Sequence, residues 1–180
     1  WDLIDKLQPK FWRIGWYWKN GPTPKLHGTI RVRYPNAKIT VLLSDIYAIK
    51  LQLWNERIRE FKPWLDWAGY QKLVREVVTD VLAGGAIDYW DLWSEPNWLF
   101  GGTRGQFEEM AKRTIEIIRS IDPDAKFVGP SAGSFVDRER TINEIKGEPI
   151  FPHFLDYLVA NNIHIEAISW HEMGSPEDLE

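Results

Sequence analysis

The chain has 180 residues, with 22 Lys+Arg against 26 Asp+Glu for a formal charge of −4, and its 44% hydrophobic content is that of a globular domain. That content excludes a disordered tail, and no apolar run approaches the roughly 18 residues that cross a bilayer. Scattered basic residues give no footprint for nucleic acid, and the absence of Cys removes disulfides, thiolate metal sites and Cys nucleophiles while leaving the compartment open.

Along the chain, residues 10–15 and 38–44 are short β-rich runs, with a Gly/Pro loop at 20–24 between them. Over 66–83, apolar Trp67, Tyr70, Val74, Val77, Val78 and Val81 mark one face of a helix, which Gly84 and Gly85 stop. A strand follows at 86–94. Thr103 precedes Gln106 by three residues, the spacing of a capping box. The helix behind it carries Phe107, Met110, Ala111, Thr114, Ile117, Ile118 and Ile121, and ends at Asp122 and Pro123. A strand at 125–128 and a loop through Gly133 come next. A helix opening near Pro152 then carries Phe154, Leu155, Leu158 and Val159, and the last strand is 163–170.

Strands alternating with helices predict an α/β fold with a parallel sheet under covering helices. An open nucleotide-binding sheet needs a Gly-rich phosphate turn after an early strand, and none occurs. An eight-fold barrel takes roughly 250 residues, or about 31 per unit, so a chain of this length holds just under six units. The expectation is therefore a single domain, 1–180, forming part of a (β/α)₈ barrel that is incomplete at both ends. Its open edges should require barrel segments from outside these residues.

The unusual number is 11 Trp beside 8 Phe and 6 Tyr. Surplus indole suits surfaces that are apolar on the face and polar at the rim, as sugar rings are. It suits aromatic packing in a large core equally well.

The stretch richest in chemistry runs Trp93, Ser94, Glu95, Pro96, Asn97, Trp98. Pro96 ends the strand and disposes Glu95 to extended geometry, which puts that carboxyl at the C-terminal lip where barrel active sites lie. Between Trp93 and Trp98 it would be partly desolvated, which favours the protonated form that a general acid needs. A capping or salt-bridged Glu is the other reading.

Residues 93–97 resemble the Trp-Asn-Glu-Pro-Asn motif that ends strand 4 in clan A glycoside hydrolases, and their surroundings resemble family 39, the β-xylosidase and α-iduronidase group. Residues 11–15 are similar to that family's second strand, 124–132 to its fifth, and 154–171, ending in Ser169-Trp170-His171, to its sixth. The resemblance implies a retaining glycosidase acting on a carbohydrate without cofactor or metal, with Glu95 as acid/base. The nucleophile would end strand 7, outside this chain. Ser94 stands where the family has Asn, and its shorter side chain reaches less far toward a sugar hydroxyl. The alternatives are a non-catalytic carbohydrate-binding barrel and an unrelated barrel enzyme.

By the same resemblance, Arg13 would hold the nucleophile's carboxylate. An ion pair with a barrel-lining acid such as Asp91 is its other reading. His171 would line the pocket, and Asn97 and Trp98 would meet sugar from the loop after strand 4. Trp16 and Trp18 are candidates for a stacking platform, while His27, His153 and His164 read as structural. No residue set has metal-ligand spacing. Alternation along the last strand turns Ser169 and His171 inward, with Ile168, Trp170 and Glu172 outward. Strict alternation also sets Ser94 and Glu95 on opposite faces, so both can line a site only if the strand end twists or bulges.

Overall fold

A computed structural model describes residues 1–15, 26–53, 55–133 and 150–171, with the side chains of 49, 55–57 and 151 left aside. Trp16, Trp18, Glu172 and the 20–24 loop lie outside the described residues. Helix α1 (Asp2–Leu7) leads into β1 (Phe11–Ile14), α2 (Leu26–Arg33), β2 (Lys38–Leu42) and α3 (Leu43–Lys50). After two short 3₁₀ turns come α4 (Trp67–Ala83), β3 (Tyr89–Asp91), α5 (Pro96–Leu99) and α6 (Arg104–Arg119). The last elements are β4 (Phe127–Ala132), α7 (Ile150–Ala160) and β5 (Ala167–Trp170).

The five strands are all parallel and pair in sequence order, β1 to β5. They form a curled half-barrel with flanking helices, as the β–α alternation predicted. Among the described residues β1 and β5 each pair on one side only. On β5, Ile168 and Trp170 are 46% and 42% exposed, an outward apolar pair. No helix among the described residues is long and apolar enough to cross a membrane.

The two longest helices form where the 3.6-residue period and the caps coincide. Asp66 caps α4 by accepting from the Gly69 N–H at 2.9 Å, and Tyr70, Val74, Val77, Val78 and Val81 turn into the core. At its other end Gly85 holds φ +128, and a Cβ on Gly28 would meet the Gly84 carbonyl at 2.5 Å, so α2 packs closely there. Thr103 and Gln106 form the reciprocal capping box, with bonds of 3.3 and 2.8 Å.

Strand limits differ from the sequence expectation at four places. The chain turns into α3 at Leu43, and β3 is only three residues long. β4 runs on to Ala132 through what the sequence reads as loop. β5 starts late, because Asn162 (φ 53) ends α7 in a left-handed turn that returns the Ile163 N–H to the Leu158 carbonyl at 2.8 Å.

Much of the aromatic surplus is packing. Trp93 is fully buried, stacked with Phe61 at 6.5 Å and edge-on to Phe100 at 5.3 Å, and the cluster continues through Phe107 to Phe154. The indole N–H groups of Trp12, Trp90 and Trp93 have no partner among the described residues. Magnitudes explain the tolerance. Burying an indole removes up to roughly 200 Å² from water, worth about 4–5 kcal/mol, against about 1–3 kcal/mol for an unmet donor.

Candidate active site

Glu95 follows β3 and caps α5, and its backbone departs from the sequence expectation. It sits at φ 51, ψ 56, in the left-handed region. A following proline disfavours the right-handed helical region but does not by itself impose extended geometry. The choice is made by bonds: the Glu95 N–H donates to the Ser131 carbonyl at 2.8 Å, and its own carbonyl accepts from Trp98 and Leu99 at 2.8 and 2.7 Å. These offset a conformation that costs a non-glycine residue about 1–2 kcal/mol. The turn also frees Glu95 from the alternation that would set it against Ser94.

The Glu95 side chain is 20% exposed, and its Oε1 lies 2.9 Å from Nδ1 of His171, just past the end of β5. Against an ionised carboxylate that nitrogen donates. The His171 N–H donates to the Ala132 carbonyl at 2.7 Å, so the end of β4 holds the backbones of both partners.

Below this pair lies a buried polar chain. The Asp91 carboxylate accepts from Arg13 Nε at 2.7 Å and from Ser131 Oγ, which is 2.8 and 2.9 Å from its two oxygens. Ser131 Oγ is also 2.6 Å from Ser169 Oγ. The Asp91 side chain is 1% exposed, and burial pushes its pKa up against the pull of Arg13 and Ser131. Of the two readings of Arg13, the ion pair with Asp91 is present. Ser169 faces inward, opposite to Ile168 and Trp170, as alternation requires.

The remaining candidates divide. Trp93 is a correction: enclosed in the aromatic cluster, it offers no face to a ligand and lies under the site as packing. Ser94 is buried, and its N–H donates to Ser44 Oγ at 3.2 Å. Asn97 is buried too, its Oδ1 accepting from the Gly133 N–H at 2.7 Å, so its amide ties the loop after β3 to the end of β4. Trp98 is half-buried against Gly133, where a Cβ would come within 2.6 Å of the indole. Of the sequence candidates, the structure joins Glu95 to His171 and Arg13 to Asp91, with Asn97 as a clamp to the end of β4. His27 is structural: its Nε2 meets the Val81 carbonyl at 2.8 Å, and burial lowers its pKa.

Sequence reasoning missed Ser131. Nothing local marks it, because its role depends on residues from β3 and β5. A surface cavity of about 200 Å³ between α4 and α6, where Arg113 stacks over Trp67, belongs to the outer helical layer. Among the described residues no cluster of three or more His, Asp or Glu could hold a metal ion.

No protein-family model matches the chain, and no curated protein matches it. Among solved structures it is similar to N2152 from Neocallimastix frontalis, with a TM-score of 0.71 and 21% identity over 98% of this chain and 41% of that one. It is also similar to a glucosidase from Croceicoccus marinus, with a TM-score of 0.56 and 24% identity over 79% of this chain and 27% of that one. The chain thus spans less than half the length of either. At such identities the likeness is one of fold: a curled parallel half-barrel with its helices outside.

Proposed function

We propose that residues 1–180 are part of the catalytic domain of a retaining glycoside hydrolase of the clan A type, similar to family 39, with Glu95 as general acid/base. The observation that carries the reading is the Glu95–His171 pair at the C-terminal end of a parallel half-barrel, joined at 2.9 Å. The Glu-Pro-Asn motif and the glucosidase among the structural neighbours support it.

In this reading His171 occupies one carboxyl oxygen of Glu95 and leaves the other for the substrate. Protonated, that oxygen gives its proton to the departing glycosidic oxygen while a second carboxylate attacks the anomeric carbon. Ionised, it takes a proton from the water that releases the sugar. The second carboxylate must stand about 5–5.5 Å away, and the resemblance assigns it to strand 7, in barrel segments outside this chain. Trp98, half-buried in the segment after Glu95, would border a bound carbohydrate in this reading. Arg13, by resemblance a carboxylate holder, bonds Asp91 through Nε at 2.7 Å.

A second reading, a carbohydrate-binding barrel without turnover, is favoured by one observation. Ser94 is buried, and its side chain is shorter than that of the Asn it stands for.

The test is Glu95→Gln in the full-length protein, assayed on glycosides that differ only in leaving group. Loss of acid catalysis should lower kcat/KM by about 10²–10⁴-fold on poor leaving groups and leave activated aryl glycosides nearly untouched. An equal loss on both classes removes the acid role. Sugar binding without turnover in the parent protein selects the second reading.

A further inference from the structure

The end of β4 is irregular, and its irregularity lies under the candidate pair. Pro130 pairs with Ser169 and Ala132 with Trp170, so Ser131 is the extra residue of a bulge. It holds φ 52, in the left-handed region that residues other than glycine rarely occupy. Glu95, bonded to its carbonyl, is left-handed as well.

The Ser131 hydroxyl is tied to both neighbouring strands. It donates to Asp91, 2.8 and 2.9 Å from the two carboxylate oxygens, so the 2.6 Å contact with Ser169 is a bond that Ser169 donates. One hydroxyl thereby joins β3, β4 and β5 inside the half-barrel. The two carbonyls at the bulge then point to the pair above: Ser131 accepts from the Glu95 N–H at 2.8 Å and Ala132 from the His171 N–H at 2.7 Å. Any rotation of the bulge moves both backbones.

We propose that Ser131 is a positioning residue for the acid/base: its hydroxyl, tied to Asp91 and Ser169, fixes the turn of the β4 end that holds Glu95 and His171 within hydrogen-bond reach. The inference rests on the acid/base reading of Glu95. Ser131 touches no reacting atom and acts through the two carbonyls. Asp91 anchors it from below. Bulges commonly re-aim side chains beside active sites, and here the bulged residue carries its own lock.

The test compares Ser131→Gly and Ser131→Ala with Glu95→Gln in the full-length protein. Glycine accepts the left-handed turn without strain, so it removes the hydroxyl while sparing the fold, and thermal melting checks that it does. Both Ser131 variants should lower kcat/KM about tenfold on poor leaving groups, the scale of a sub-ångström misplacement, with activated aryl glycosides largely unaffected. A crystal structure of Ser131→Gly should show the His171 Nδ1 to Glu95 Oε1 separation beyond about 3.5 Å. A Ser131→Gly enzyme with the parent's leaving-group dependence and an unchanged separation overturns the proposal. If Glu95→Gln itself shows no leaving-group dependence, the acid/base reading fails instead. The crystallographic separation then decides the positioning claim alone: unchanged overturns it, lengthened supports it.

Discussion

Strand β3 is framed by two aspartates three positions apart, Asp88 at its foot and Asp91 at its inner end, and their surroundings push them in opposite directions. For Asp88, burial raises the pKa, but bonds from Arg31 Nη2 at 2.6 Å, Lys38 Nζ at 2.9 Å and the Ile39 N–H at 2.9 Å prevail, and the net shift is down. For Asp91, burial is deeper and outweighs Arg13 and Ser131, so the net shift is up. The foot of the sheet surrounds its carboxylate with donors and uses it to fasten β2, β3 and α2. The mouth leaves its charge under-compensated beside the candidate pair. Barrels divide stability and chemistry between the same two ends.

The largest expected effect tests whether the mouth stands on the core. Trp93 lies two residues before Glu95 with its indole fully buried. Trp93→Ala should cost about 3–5 kcal/mol in chemical denaturation. A loss below about 1 kcal/mol, ordinary for a surface site, would mean that the indole bears little of the packing under Glu95. The foot should answer more modestly. Asp88→Ala removes two charged bonds and strands the Ile39 N–H, for a loss of about 1–3 kcal/mol. Asp88→Asn, which keeps an acceptor for Ile39, should lose less. Equal stability of Asp88→Ala and the parent would erase the distinction between the two ends.

What was legible in the sequence separates along the same line. Helices α4 and α6 could be read because period, caps and stop signals agree locally, down to the Thr103–Gln106 box. The short helices α1, α2 and α3 lack that length of pattern and are not legible locally. Glu95 could be placed at a strand end from Pro96 alone. Its left-handed backbone could not, because proline only disfavours one region and the bond to its N–H comes from Ser131, 36 residues further on. Trp93 reads as a site residue because it flanks Glu95 in the sequence. The strand stops at Asp91, and the chain beyond it turns that indole into the helical layer. Asp91 is legible as a possible partner of Arg13, yet the hydroxyl chain through Ser131 and Ser169 exists only once three strands are side by side.

The smallest effect is the sharpest test of the comparison, since it depends on sign. Both aspartates start from an ordinary value of 3.8. Asp88 has a lowered pKa in the fold, so the stability it contributes is present above pH 3.8 and is lost as pH falls through the folded pKa. Asp91 has a raised pKa, so its contribution is fully present below pH 3.8 and is lost as pH rises through the folded pKa. Asparagine cannot titrate at either position. The stability gap between Asp88→Asn and the parent should therefore widen against the variant as pH climbs toward about 4, then level off. The gap for Asp91→Asn should hold steady below about 4 and move in favour of the variant above it. Asparagine at 91 still offers an oxygen to Ser131 and Arg13, which keeps the geometry comparable. Urea midpoints of the three proteins across this range give both slopes. Opposite signs support two differently tuned ends of one strand. Slopes of the same sign would show that burial and pairing balance alike at the foot and at the mouth, and the division drawn between them would fall.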